Sequence, residues 1–385
     1  MPTTLVAPNY ASGIADTEAN PASLVNPAVQ PLRGIRVLDL TRLLPGPVAT
    51  LRLAQMGATV IKIEEPGIGD YARLIGPIRH SVSQFFVAVN HGKQFLRLDF
   101  KQPADVASFL QMVQQADVVI ESFRPGVMEK FGLGWPVLKQ HNPKLVMCAI
   151  SGYGQDGPFA AMAGHDINYI GYGGMLQQNS VAGSMPAIPN LQIGDLLGGA
   201  QTAVQGILAA LLAVKMGGDG CFVDVSMTDA VLANNFMPLV SYNSVGKIAE
   251  PGQDLLSGGA PCYNLYATSD GRHMAVGALE LKFWQHACRV LQRPDLKDAH
   301  WMCGMAPNSE ASNAVKHELE QIFSQHALAH WSALFANEDC CVSPVLRLDE
   351  ALQHPLFAAR KMVTRASHET EGEYWQLGSG LQFIA

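Results

Sequence analysis

The chain has 385 residues, 48% of them apolar and 15% charged, which is enough apolar material for a large core and excludes a disordered chain. Its formal net charge of −7 argues against a nucleic-acid surface, which is normally far more basic, and its seven cysteines (148, 221, 262, 288, 303, 340, 341) contain no CxxC and no spacing for zinc or a disulfide framework. These features predict a soluble globular protein of a reducing cytoplasm, long enough for two domains.

Residues 1–31 lack the cationic start and apolar run of a secretory signal and are read as a loose N-terminal arm. From residue 32 the pattern is strand, helix, strand. "GIRVLDLT" is apolar and β-branched, "GPVATLRLAQMG" has helical periodicity with proline near its start and glycine at its end, and "ATVIKIEEP" is a second strand. "PADVASFLQMVQQ" then "ADVVIESF", and "WPVLKQHN" then "PKLVMCAIS", repeat helix before strand, so residues 32–150 predict an open parallel sheet covered by helices. Ligands in such sheets sit beyond the carboxyl ends of the strands.

Directly after the strand ending near 150, Gly152, Gly154 and Gly157 spell GxGxxG. A dinucleotide site is disfavoured there: Pro158 follows at once, the motif lies at the fourth predicted strand, and no later strand ends in an acidic residue at the usual offset of about 20. Residues 195–215, "DLLGGAQTAVQGILAALLAVK", are apolar over a bilayer's length, but Gln201, Thr202 and Gln205 make a buried core helix the better reading than a membrane span. "GCFVDVSMTDAVLANNF" predicts a strand and then a helix capped by Thr228 or Asp229. Residues 231–254 show few sheet signals and read as a connection. "APCYNLYATSDGRHMAVGAL" is a hairpin that opens a smaller α+β domain over 255–346, and 347–385 return to complete the large domain of 32–230.

"AGHDINYIG" (163–171) sets a histidine and an aspartate side by side. If a helix begins there, Asp166 is its N-cap and His165 lies just before the helix amides, a setting that lowers a histidine's pKa and keeps it neutral. Asp195 heads the long apolar helix, where the same field favours its carboxylate. Two proton-transfer groups at two helix starts, thirty residues apart, can face each other across one pocket. The plainer reading is a capping aspartate and a hydrogen-bonded turn histidine. Residues 32–145 carry fourteen Lys/Arg against nine Asp/Glu, a local balance of +5 that suits an anionic ligand or ordinary solvated faces.

The motifs "LRGIRVLDLTRLLPGP", "GATVIKIEEP", "RLDFK", "ADVVIESFRPGVMEKFGLG", "SGYGQDGP", "AGHDINYIG", "LQIGDLLGG", "GGAPCYNLY" and "MAVGALE" occur in order over residues 32 to about 350. In them the chain resembles the family III CoA transferases, also called the CaiB/BaiF family, and within it the α-methylacyl-CoA racemases. The resemblance implies an α/β fold with a Rossmann-like large domain and a small domain, in two interlocked subunits forming a homodimer. It implies an acyl-CoA substrate, no metal or redox cofactor, no nucleic acid and no membrane span.

Position by position, His165 and Asp195 match the racemases' acid/base pair, and Glu280 matches the small-domain carboxylate that accompanies the histidine. CoA-contacting positions fall on Leu98, Asp99, Phe100 and Lys101, on Ser122, Phe123 and Arg124, on Lys130, and on Gly164, Ile167, Asn168 and Tyr169 of the histidine loop. Arg124, Lys130 and Lys101 would meet the phosphates. The same fold also hosts transferases whose nucleophilic aspartate matches Asp166. Two departures stand out: Glu65 in "EEPG" lies where the racemases carry an arginine, and "LQFIA" ends short of the family's longer tail.

Overall fold

The computed structural model describes residues 29–79, 82–368 and 372–384. Residues 1–28, most of the expected arm, lie outside the described residues. The chain divides into two compact units, one of residues up to Gly174, Pro189–Asn234 and Pro355–Ala385, the other of Met175–Ile188 and Asn235–His354.

The first unit is built on a six-stranded sheet of β1 (Arg36–Asp39), β2 (Thr59–Glu64), β3 (Gln94–Arg97), β4 (Val118–Glu121), β5 (Val146–Ser151) and β6 (Phe222–Ser226) in the spatial order β3-β2-β1-β4-β5-β6. Every pairing is parallel, with Arg36 opposite Thr59, Val37 opposite Val118 and Met147 opposite Phe222. Strands buried on both faces favour apolar side chains, and β4 and β5 are wholly buried and read as apolar runs up to their terminal Glu121 and Ser151. Alternate residues feed separate cores. Val37, Val118 and Val146 pack on one face with Ala49 and Leu53 of α1 (Pro45–Gln55), while Leu38, Val119 and Met147 pack on the other. Helices α2 (Gln84–Asn90), α3 (Pro103–Val113), α4 (Trp135–His141), α5 (Asp166–Tyr172), α6 (Thr202–Lys215) and α7 (Met227–Ala233) complete this unit's larger helices. The strand order reverses between β1 and β4, which makes the carboxyl ends of these strands the natural ligand crevice.

β3 and α2 went unanticipated. β3 is short, lies at the sheet edge, and carries Gln94, Phe95 and Arg97 exposed, so it lacks the continuous apolar run of its neighbours. The "GxGxxG" strand is therefore fifth among the strands of this sheet, not fourth. α7 is capped by Ser226, whose Oγ accepts from Asp229 N–H at 3.2 Å, instead of by Thr228 or Asp229.

Gly194–Lys215 is long and apolar enough by length and composition to cross a membrane. Its first eight residues, Gly194–Gln201, form a π-helix that runs into α6, and Ala203, Ile207 and Ala210 join the core that also contains β5. Small residues let this helix pack closely: a Cβ on Gly198 would lie 2.7 Å from the Met227 carbonyl oxygen.

A buried ionic lattice fastens the loops that follow β1 and β2. Lys93 Nζ donates to Asp39 Oδ2 at 3.1 Å, to Asn90 Oδ1 and to the Pro47 carbonyl, and Lys62 Nζ donates to Thr41 O and meets Asp70 Oδ2 at 3.0 Å. All four charged side chains are fully buried. Burial alone would raise the Asp39 carboxyl, but Lys93, Lys62 and hydrogen bonds from Thr41 and Thr50 more than offset it and leave it at about 2. Burial lowers Lys93 to about 8 despite Asp39.

The second unit holds an antiparallel sheet of β7 (Tyr263–Ala267), β8 (His273–Gly277) and β9 (Val342–Pro344), with β8 central. Helices α8 (Phe236–Val245), α9 (Leu281–Val290), α10 (Glu310–Phe323) and α11 (Leu328–Phe335) belong to it. Its core stacks Tyr266 on Phe323 with ring centroids 5.3 Å apart, and Trp331 Nε1 donates to the Phe323 carbonyl at 2.9 Å. The expected connection over 231–254 contains α8. None of that helix's residues is buried, so it carries no amphipathic stripe for periodicity to reveal. Met175–Ile188, expected inside the large domain, is tied to this unit by Gln178 Nε2 donating to Asn235 Oδ1 and by Ala182 N–H donating to Pro251 O.

Candidate active site

The turn after β5 is shaped by close packing. A Cβ on Gly152 would lie 2.5 Å from the Tyr169 ring, and Gly154 adopts φ +87°, the left-handed region open to glycine. The turn's amides are spent internally: Gly154 N–H donates to Ser151 Oγ at 2.9 Å, and Gln155 N–H donates to Asp224 Oδ2 at 3.0 Å. The GxGxxG pattern thus serves helix packing and leaves those donors unavailable to a dinucleotide phosphate.

His165, not Asp166, occupies the N-cap of α5, and Asp166 is its first helical residue. The histidine N–H donates to Asn168 Oδ1 at 3.1 Å, while its side chain stands exposed. Asp166 does not cap its own helix because its Oδ1 is taken elsewhere: it accepts the Asp195 N–H at 3.0 Å. This bond joins two helix starts twenty-nine residues apart. Gly194 permits the approach, since a Cβ there would sit 3.1 Å from Asp166 Oδ1 and 3.3 Å from the Tyr169 Cβ.

The expectation that a helix field would favour the Asp195 carboxylate is overturned. Burial, and then the Asp166 charge, push its carboxyl up to about 7. Tyr169 is buried, and its hydroxyl donates to Gly164 O. Its phenol is pushed above the ordinary range by burial, then by Asp195, Tyr153 and Asp166, with Arg124 acting in the opposite direction. Asp166, Asp195, Tyr169 and Arg124 therefore form one electrostatic neighbourhood. Around it, Tyr172 packs T-shaped against Tyr153 and Phe159, and the Tyr153 and Phe159 rings are tilted, with centroids 5.5–5.9 Å apart; Phe159, Ile167 and Tyr172 are exposed.

A second feature lies beyond the ends of β1, β2, β3 and β4. A small cleft is lined by Leu40, Arg42, Ile63, Glu64, Glu65, Leu98, Asp99, Phe100, Lys101, Phe123 and Phe131. It brings together five of the expected CoA-contacting residues: Leu98, Asp99, Phe100, Lys101 and Phe123. Ser122 sits beside it, its Oγ accepting the Arg42 N–H at 3.0 Å. Glu121 holds the same loop, its Oε2 accepting Phe123 N–H at 2.6 Å, and burial raises that carboxyl to about 8. Arg124 belongs with Tyr169, and Lys130 is exposed at the end of the short helix Val127–Lys130; neither lines the cleft. Glu280 lies in the second unit, at the exposed N-cap of α9.

Several residues of these sites escaped sequence reasoning. Arg42 reaches Glu65 at 3.3 Å and lies over the rings of Tyr71 and Phe123, each centroid 5.3 Å away. Arg73 forks onto Glu64, with Nη2 to Oε2 at 2.8 Å. A charged residue inside a strand was the available signal for the buried lattice, as Lys62 in "TVIKIE" and Asp39 in "RVLD" show. No local pattern announced that Arg42, following one strand, would meet Glu65, following another.

Comparison with known proteins accords with this arrangement. Over 327 residues, covering 84% of this chain and 80% of the relative, the sequence is 35% identical to the α-methylacyl-CoA racemase of Homo sapiens. It is 32% identical over 351 residues to the acetyl-CoA:oxalate CoA-transferase of Acetobacter aceti, covering 91% and 88% of the two chains. A CaiB/BaiF family protein from Brucella suis has the same fold, with a TM-score of 0.77 and 26% identity over 92% of this chain and 93% of that one. The family model for CoA-transferase family III spans residues 32–384, and the chain is a member of that family.

Proposed function

We propose that the protein is an enzyme that racemises 2-methylacyl-CoA thioesters, moving a proton at the α-carbon through an enolate with His165 and Asp195 as the two proton-transfer groups. The observation that carries the reading is the half-buried Asp195 carboxyl, held beside Asp166 at the start of its helix with a pKa near 7. A group that is half protonated at neutral pH serves as acid in one direction and base in the other. The α-proton of a thioester is weakly acidic, and its removal places charge on the thioester oxygen. Amides in the first turn of α5 are the donors proposed for that oxygen. One side chain takes the proton from one face of the planar intermediate, the other returns a proton to the opposite face, and the configuration inverts. The chemistry asks for no metal or redox cofactor. The cleft beyond β1–β4 is assigned to the adenosine end of CoA, with Lys101 and Arg42 as its cations. A homodimer, expected from the resemblance, is supported by the exposed apolar side chains of α8.

The second reading is transfer of CoA between carboxylic acids through an acyl anhydride on Asp166. Similarity to an acetyl-CoA:oxalate CoA-transferase favours it. Asp166 Oδ1 accepts the Asp195 amide, which leaves Oδ2 for attack on this reading.

Incubation of purified protein with (2R)-2-methylacyl-CoA in D2O decides between them. Racemisation predicts deuterium at C2 with loss of stereochemical purity. CoA appearing on added oxalate or succinate, with no exchange at C2, would establish the transferase instead.

A further inference from the structure

Arg42 lies in the turn between β1 and α1, and both peptide groups that flank it are held by one buried ion pair. Lys62 Nζ donates to the Thr41 carbonyl at 2.8 Å, and Asp70 Oδ1 accepts the Leu43 N–H at 2.9 Å. Lys62 and Asp70 meet each other at 3.0 Å, both without solvent access. The same Asp70 oxygen accepts the Ala72 N–H at 2.9 Å and so starts the short helical turn Tyr71–Leu74. That turn sets the Tyr71 ring against the Arg42 guanidinium, whose other neighbours are the Phe123 ring and Glu65. Ser122 Oγ takes the Arg42 N–H itself at 3.0 Å.

The clamp has a conformational cost. Leu43 adopts φ +65°, the left-handed region that a leucine rarely enters. Local propensity does not choose this shape for a leucine; it is imposed by the two fixed peptide groups on either side of Arg42. Backbone strain of this kind persists where surrounding contacts over-determine it, and it gathers where a side chain must be aimed. The side chain aimed here is Arg42, which lines the cleft. A guanidinium carries more N–H donors than its contact with Glu65 uses, so donors remain for a phosphate oxygen.

We infer that Lys62 and Asp70 are positioning residues for the acyl carrier: by fixing the peptides beside Arg42 and holding Leu43 in the left-handed region, they aim the guanidinium at a phosphate of coenzyme A. Neither residue touches the ligand. The inference rests on reading the cleft as the site for the adenosine end of coenzyme A, and it concerns binding, not the reaction at the α-carbon.

Titration calorimetry of the full chain with coenzyme A tests it without relying on turnover, and substitutions at Leu43 reach the clamp without opening the buried ion pair. A side chain branched at Cβ is the least tolerated in the left-handed region, whereas glycine enters it freely. Leu43→Val should weaken coenzyme A binding about tenfold, as should Arg42→Gln, in line with the loss of a charge-assisted hydrogen bond. Leu43→Gly, which removes more of the side chain, should still bind at least about fivefold more tightly than Leu43→Val. Placed on Arg42→Gln, Leu43→Val should cost less than about twofold more, because the guanidinium it would misdirect is already gone. Thermal unfolding shows which variants are folded; should Leu43→Val not fold, Lys62→Met with Asp70→Leu, which leaves no unpaired charge inside, carries the same comparison with and without Arg42→Gln. Equal affinities of the valine and glycine variants, or a full further loss on top of Arg42→Gln, overturn the inference while leaving Arg42 as a carrier contact. Wild-type affinity in Arg42→Gln removes that contact, and the inference with it.

Discussion

A carboxyl with a pKa near 7 ties the action of Asp195 to pH in opposite senses for the two enantiomers. In the direction where Asp195 removes the proton, it must be ionised, so kcat should rise as pH increases through about 7; in the direction where it delivers the proton, kcat should fall through the same region. Initial-rate profiles of the separated enantiomers check this, and parallel profiles would remove Asp195 from the pair. Replacing His165 or Asp195 by alanine should lower deuterium exchange on the order of 10²–10⁴-fold. The stability consequence has a definite sign. The folded-state pKa lies above the ordinary 3.8, so the folded protein holds the proton more tightly and loses stability as pH rises from about 4 to about 7. Asp195→Asn should therefore unfold at a higher temperature than the wild type at pH 8 while being inactive, a separation expected of a strained functional residue.

Single elements depend on contacts made after the chain has folded. The loops following β1 and β2 are tied by Lys62, Lys93, Asp39 and Asp70, all without solvent access. Removing one member of such a pair strands its partner in the interior, so Lys62→Met should cost about 3–5 kcal/mol in denaturant unfolding. A loss under about 1 kcal/mol would show that the lattice contributes little. Asp39, held at about 2, supplies stability that is present above the ordinary 3.8 and disappears as pH falls from there toward 2. The π-helical entry to α6 depends on a bare glycine. Gly198→Ala would push a methyl to 2.7 Å from the Met227 carbonyl, where backbone cannot yield easily, and should cost about 1–3 kcal/mol with a matching loss of activity as Asp195 shifts.

At the scale of the whole molecule, α8 leaves Phe236, Leu239, Val240 and Tyr242 exposed to solvent, and exposed apolar side chains clustered in one helix suit an interaction face. If a second copy covers it, Leu239→Asp with Val240→Asp should convert a dimer to a monomer in sedimentation; an unchanged mass would place the subunit contact elsewhere. The large sheet was readable because each strand but β3 announces itself by its own side chains: buried parallel strands are predominantly apolar, and helices between them show a stripe. His165 and Asp195 were also readable as candidates, from residue type and position at the heads of helices. Their environment was not. The exposed helix α8 has no periodicity to detect, and edge strand β3 is too polar to stand out. The sequence by itself determined the local elements, their order and the residues able to carry protons, because propensity and periodicity act over a few neighbouring positions. Only the tertiary structure decided that Asp166 would hold the Asp195 amide, that burial would raise the Asp195 carboxyl, and that Glu65 would meet Arg42, because desolvation and pairing arise between segments remote in the chain and have no local signature.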